Sequence, residues 1–263
     1  MDLDDAYDNA GHITGSDEYP PRWAAEAEAF RQRQGVIGRA RLGLMYGHGT
    51  RQAFDLFLPD LTPRGLLIFV HGGYWRRFDR SLWSHFATGA LGHEWAVAMP
   101  SYDLVPRVRI SHITQQVAQA IGVMAREVAG PIRLVGHSAG GHLVARMLAP
   151  EMLAADVAGR IEHAMAISAV SDLRPLCDLA MNADFRLDAA EAHAESPIFQ
   201  PRPEVPVTVW VGAEERPVFL DQSRWLAEAW RAGHIIDEGK HHFDVIDGLQ
   251  DPDSAMVRRL LTL

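Results

Sequence analysis

A serine set between glycines, a pair of adjacent histidines and a pair of adjacent glutamates are the residues here whose spacing suggests acyl chemistry. Gly136-His137-Ser138-Ala139-Gly140 follows directly on the apolar run Ile132–Val135 and opens a helical stretch, His142–Leu148. A serine on a tight strand-to-helix turn is pushed out as a nucleophile, and the helix N-terminus stabilises negative charge developing beside it. The two outer glycines are expected to be there for room, because side chains at 136 or 140 would collide with neighbouring strands. A serine that merely capped the helix would need neither glycine. His137 is assigned to the shape of the turn, and His142 receives no role.

Attack by an alkoxide needs donors aimed at the oxygen that becomes negative. His71-Gly72-Gly73-Tyr74-Trp75 stands at the end of the apolar run Gly65–Val70. Backbone N–H groups serve best where no side chain blocks approach, so Gly72 and Gly73, with Ala139 after the serine, are assigned to an oxyanion hole. A plain glycine turn is the bland alternative for this stretch taken alone. His71 is expected to brace the loop by hydrogen bonding. Tyr74 and Trp75 come next, either as walls of a substrate pocket or as packing.

The serine also needs a base and an acid that orients it. In strand-turn-helix hydrolases of this type the chain order is serine, acid, histidine. After Val207–Val211 comes Gly212-Ala213-Glu214-Glu215-Arg216-Pro217, and after the short run His234–Asp237 comes Gly239-Lys240-His241-His242-Phe243-Asp244. An imidazole with an ordinary pKa near 6.5 suits proton transfer at neutral pH, and the acid fixes its tautomer. The residues themselves leave His241 and His242, and Glu214 and Glu215, unresolved, with Asp172 as an outside candidate acid. Adjacent histidines raise the question of a metal, but neighbours on an extended chain point apart and no HExxH pattern occurs. No metal and no cofactor are therefore expected.

These groups need a frame that holds them together. Gly65–Val70, Trp95–Met99, Ile132–Val135, Ala164–Ile167 and Val207–Val211 are short, continuous apolar runs, the pattern of strands covered on both faces. Between them lie helical stripes: Ile113, Val117, Ala120, Ile121 and Met124 in one, and Trp225, Leu226, Ala229 and Trp230 in another. Alternation within Ala40–Pro59, around turn residues Gly47–Thr50, reads as a hairpin. The result is an α/β class chain with a mostly parallel central sheet and helices on both faces, the α/β-hydrolase fold, in one domain over residues 1–263. Residues 172–200 interrupt the alternation and are read as an insertion over the carboxyl edge of the sheet, where ligands bind in such folds. Together with residues 1–40 this insertion is expected to form a small cap. A helix is predicted over Trp23–Arg33, after Pro20-Pro21, and disorder is expected, if anywhere, in the polar segment before it.

Composition narrows the function classes. With 263 residues, 48% hydrophobic and 22% charged, the chain can build a sizeable core. A net charge of −9 argues against nucleic-acid or anionic-membrane partners, leaving a small-molecule substrate, with a homodimer left open. The single cysteine, Cys177, excludes an intrachain disulfide and is read as a packing residue. No long apolar run and no basic-then-apolar leader occur, so a cytoplasmic enzyme is expected.

HGGYW at 71–75, GHSAGGH at 136–142, VGAEERPVF at 211–219 and His242-Phe243 together resemble the arylformamidases, or kynurenine formamidases, of the hormone-sensitive-lipase-like branch of the α/β hydrolases. The resemblance runs from about Tyr7 to the C-terminus. It implies that the acid stands two residues before the proline and the histidine directly before the phenylalanine, which selects Glu215 and His242. Aspartate is usual at the acid position, so Glu215 is a departure. The resemblance further implies hydrolysis of an aryl formamide such as N-formylkynurenine, and of small aryl esters, with no cofactor. A formyl group asks for a small acyl site and a large aromatic leaving-group site, for which Trp75, Phe78, Trp83 and Phe219 are candidates. The runner-up is a general carboxylesterase. An acyltransferase would use the same groups with another acceptor, and a binding protein on a retired hydrolase frame would have lost the serine or the histidine, both of which are present.

Overall fold

The computed structural model describes residues 2–261. Eight strands form one sheet: β1 (Ala40–Met45), β2 (Ala53–Phe57), β3 (Leu66–Val70), β4 (Ala96–Pro100), β5 (Ile132–His137), β6 (Ile161–Ile167), β7 (Val207–Gly212) and β8 (Gly233–Asp237). The longer helices are α1 (Tyr19–Val36), α2 (Ile110–Glu127), α3 (Ala139–Arg146), α4 (Ala189–Glu195), α5 (Pro217–Trp230) and α6 (Ala255–Leu261). Strand order is β1-β2-β4-β3-β5-β6-β7-β8. The β1–β2 hairpin and the β2–β4 pair are antiparallel, and every other pairing is parallel.

The apolar runs become central strands because both their faces are covered. In β3, Leu66, Ile68 and Val70 join one core layer while Leu67 and Phe69 join the other, the two-residue period of a strand. The first layer receives Ile113, Val117, Ala120, Ile121 and Met124 of α2, the stripe expected from their spacing. The second receives Trp23 and Phe30 of α1 and Met256, Val257 and Leu260 of α6. Among the described residues no helix is long and apolar enough to cross a membrane.

Four local expectations need correction. The predicted helix begins earlier, at Tyr19, because Pro20 and Pro21 fall in its first turn, where a missing N–H breaks no helical bond. In α5 the buried stripe is Phe219, Gln222, Ser223, Leu226, Ala227 and Trp230, not the one containing Trp225 and Ala229. Hydrophobicity misplaced it, because Gln222 is buried as a hydrogen-bonding hub for Ser171, Asp172 and Tyr7. The alternating β2 is buried at every position, with the Asp55 carboxylate met by Arg80 at 2.8 Å. Finally, the polar N-terminal segment is ordered: residues 3–18 form short helical turns, and Asp5 is bonded to both His12 and Arg216.

Residues 172–200 do form compact short helices rather than strands. They are clamped to the body from two sides. Glu191 takes Ser111 Oγ at 2.7 Å and pairs with Arg109. Glu195 is buried and accepts from Thr114 Oγ1 at 2.7 Å and from Arg146 at 3.3 Å, while its carbonyl bonds the His142 ring at 2.8 Å. Burial holds His142 neutral, with its pKa lowered to about 3, so its Nε2–H is the donor in that bond.

Candidate active site

Ser138 sits at the junction of β5 and α3 with φ 56° and ψ −119°, a conformation that side-chain-bearing residues adopt only under local constraint. The constraint is visible at the two glycines. A Cβ on Gly140 would lie 1.9 Å from the Val70 carbonyl oxygen of β3, the expected clash with a neighbouring strand. A Cβ on Gly136 would instead meet Gly140 at 2.2 Å, so here the collision is with the turn's own return rather than with another strand. The Ser138 N–H donates to Ile167 of β6 at 2.8 Å, which ties the turn to the sheet.

The loop after β3 abuts this turn: a Cβ on Gly72 would come within 3.1 Å of Ser138 Cβ. Gly73 has φ +108° and lines the cavity in front of the serine. Among the described residues the N–H groups of Gly72, Gly73 and Ala139 carry no protein acceptor, although Gly72 and Ala139 are buried. Buried amides are almost always paired, so the free N–H groups of Gly72 and Ala139, with that of Gly73 on the cavity, are unused donors close to the serine. His71 braces this loop, its Nδ1–H donating to Gly72 O at 2.8 Å, while its ring stacks on Tyr102 at 4.3 Å. Burial lowers the His71 pKa to about 4, so the brace is neutral.

The structure separates the candidates that residue type left open. His242 Nδ1 lies 2.6 Å from Glu215 Oε2. The other Glu215 oxygen accepts the Gly212 N–H at 2.9 Å and the Ser168 hydroxyl. Glu214 is exposed, and Asp172 is engaged by Arg174 at 2.7 Å. His241 is bonded elsewhere, to Tyr19 at 3.0 Å. Behind His242, Phe219 packs on the ring at 4.5 Å and the His137 ring lies at 4.7 Å. Burial first, and the nearby His242 second, hold the His137 pKa well below its usual value. The neutral His137 therefore donates its Nε2–H to the His242 carbonyl at 2.8 Å and adds no charge beside a protonated His242.

Ser138 and His242 line one cavity of about 870 Å³. Among the described residues no hydrogen bond joins Ser138 Oγ to the His242 ring, whose Nδ1 is the nitrogen engaged by Glu215. Tyr74, Phe78 and Trp83 line the cavity, as do three aromatic residues not identified from sequence: Tyr7, Trp23 and Phe243. Trp75 and Phe219, expected as pocket walls, are absent from the lining. Trp75 is fully buried against His142 and Phe185, and Phe219 supports His242 from behind. Among the described residues no cluster of His, Cys, Asp and Glu could hold a metal ion.

The N-terminal segment supplies an entire wall, Asp4 through Trp23, fastened at several points. Tyr74 Oη donates to Tyr7 O at 2.8 Å, Gln222 Nε2 donates to Tyr7 Oη at 2.9 Å, and Ala180 N–H donates to Asp4 at 2.8 Å. The sequence pointed to this segment through the cap expected from residues 1–40 and the helix predicted from Trp23, and the aromatic residues Tyr7 and Tyr19 within a polar stretch are a further signal.

The chain belongs to the alpha/beta hydrolase family, whose profile matches residues 67–258. It is thus a hydrolase by family, with the central sheet of that fold. Among characterised relatives, the kynurenine formamidase of Drosophila melanogaster is 28% identical, the alignment covering 98% of this chain and 96% of that one. The kynurenine formamidase of Salmo salar is 25% identical over 88% of this chain and 84% of its own. A crystal structure from a Silicibacter species, provisionally called a thioesterase, superposes with a TM-score of 0.97 at 58% identity over 100% of both chains. An esterase of Pyrobaculum calidifontis shares the fold, with a TM-score of 0.71 at 16% identity over 94% and 91% of the two chains.

Proposed function

We propose that the protein is a serine hydrolase that works through an acyl-enzyme on small aryl formamides or esters, with N-formylkynurenine the leading substrate. The observation that carries this reading is the Glu215–His242 pair at 2.6 Å, set on the same cavity as a serine in a forced backbone conformation. In this mechanism Ser138 Oγ attacks the substrate carbonyl while His242 Nε2 takes its proton. Glu215, bonded at Nδ1, fixes the tautomer and stabilises the imidazolium. The amides of Gly72, Gly73 and Ala139 receive the negative oxygen. His242 then protonates the leaving amine or alcohol, and water releases the acid by the reverse sequence.

The formamide preference rests on the activity for which the relatives are named together with the aromatic lining from Tyr7, Trp23, Tyr74, Phe78 and Phe243, which suits a flat aryl leaving group. A second reading, cleavage of short esters or thioesters, draws on the 58%-identical Silicibacter structure. One experiment weighs both: kcat/KM for N-formylkynurenine, p-nitrophenyl acetate and a short acyl thioester, each with Ser138→Ala alongside. The expected result is highest kcat/KM on the formamide and a loss of about 10⁴-fold or more in the variant. A margin for the ester or thioester moves the substrate assignment to the second reading. Equal rates in wild type and variant on all three end the serine mechanism.

A further inference from the structure

His241 does not line the cavity, yet it is bound into the turn that carries its neighbour. Its main-chain N–H donates to Asp244 Oδ1 at 2.8 Å, and the N–H of Asp244 donates back to His241 Nδ1 at 3.3 Å. The N–H of Phe243 reaches the same ring nitrogen at 3.1 Å. This is the reciprocal arrangement of a helix capping box, with an imidazole in place of the capping hydroxyl and aspartate in place of glutamate. Asp244 Oδ1 also lies 3.1 Å from this ring nitrogen, and on the other side of the ring Nε2 and Tyr19 Oη are hydrogen-bonded at 3.0 Å. Tyr19 in turn is held edge-on by Trp23 and Phe243, each at 5.5 Å, with the Arg22 guanidinium 4.3 Å from its ring centre.

Between the two capping residues stands His242. Its carbonyl is taken by His137 at 2.8 Å and its ring is held by Glu215 and Phe219, while on the other side the cap and the bond from the Val245 N–H to the His241 carbonyl at 3.1 Å fix the turn. We infer that His241 and Asp244, closed by Tyr19 from the N-terminal wall, form a clamp that positions His242 for proton transfer. The sequence signature is His-x-x-Asp around the working histidine. This inference rests on the proposed role of Ser138 and His242, and it assigns to His241 a positioning role with no contact to substrate.

The test uses the intact protein and two readouts, steady-state kinetics and the rate at which a fluorophosphonate labels Ser138. His241→Leu removes the acceptor and is expected to lower both kcat and labelling rate about tenfold or more, with KM changed less than about threefold. His241→Asn places an amide oxygen where Nδ1 stood and is expected to restore most of the loss. His241→Gln keeps a polar group toward Tyr19 but lacks that acceptor, and carries the same expectation as leucine should the leucine variant not fold. A folded Leu or Gln variant with wild-type kcat and labelling overturns the clamp. So does a loss that asparagine fails to recover, or one confined to KM. Wild-type protein that the probe does not label overturns the serine-hydrolase reading itself, and the clamp with it.

Discussion

Glu215 shows how one carboxylate can be told from its neighbour only by what surrounds it. Residue type and chain order offered Glu214, Glu215 and Asp172, because a short loop after a late strand places any of them near the histidine. The resemblance to arylformamidases favoured Glu215 through its distance from Pro217, and the structure gives the physical ground: its side chain is wholly buried and satisfied by Gly212, Ser168 and His242. Glu215→Gln leaves the shape intact but loses the acceptor for Nδ1–H, so kcat is expected to fall about 10³- to 10⁴-fold. Glu214→Gln, on the exposed side, is expected to stay within about twofold of wild type in the same assay. Aromatic residues were less legible. Trp75 and Phe219 have the composition of pocket walls, but residue type does not say which side of a loop a ring occupies, and both rings turned into the protein.

At the scale of elements, the strand-turn-helix around Ser138 was readable because each part is local: an apolar run, glycines at two forced positions, then a helix. The segments before α1 and at 172–200 were less so. The break in βα alternation at 172–200 was readable, but the fastening of both segments depends on pairs far apart in sequence, such as Thr114 with Glu195 and Tyr7 with Gln222. Short polar segments carry no periodicity from which such partners could be found. The Arg146–Glu195 pair is nearly sealed, with side chains 7% and 9% exposed. Glu195→Ala strands the Arg146 charge in the interior, and removal of one partner of a buried pair typically costs about 3–5 kcal/mol. The expected result is a lower urea midpoint with unchanged m-value. A midpoint equal to wild type would mean that α4 is not held by this pair. These anchors tie α4 to α2 and α3.

For the whole molecule, the layered architecture was the most legible level, since strands buried on both faces and helices with one apolar stripe admit few arrangements. What local patterning could not convey is the long-range stitching of the first twenty residues to loops more than two hundred positions away, exemplified by Tyr19 and His241. One half-buried carboxyl near that seam links stability to pH. Burial pushes Asp247 up to about 6 from the usual 3.8, with Asp244 and Glu26 adding to the rise and Arg22 and Lys240 opposing it. The folded state therefore holds this proton more tightly than the unfolded chain. Its favourable contribution is complete below the unfolded value and is lost as pH rises through the folded one. Asp247→Asn cannot ionise, so its Tm advantage over wild type is expected to be least near about pH 4 and to level off above about pH 7. An advantage that did not vary with pH would remove Asp247 from the acid–base balance of folding. The cavity has a charge asymmetry of its own, with Asp4, Asp8, Asp17 and Asp184 set against Arg76 and Arg77. On the proposed mechanism the acid freed at Ser138 is an anion at neutral pH, and the cavity lining around it carries more negative than positive side chains. Each like charge at about 10 Å in water contributes only about 0.4 kcal/mol. On that reading the surplus of negative charge disfavours the spent acid's return and leaves the serine free for another substrate.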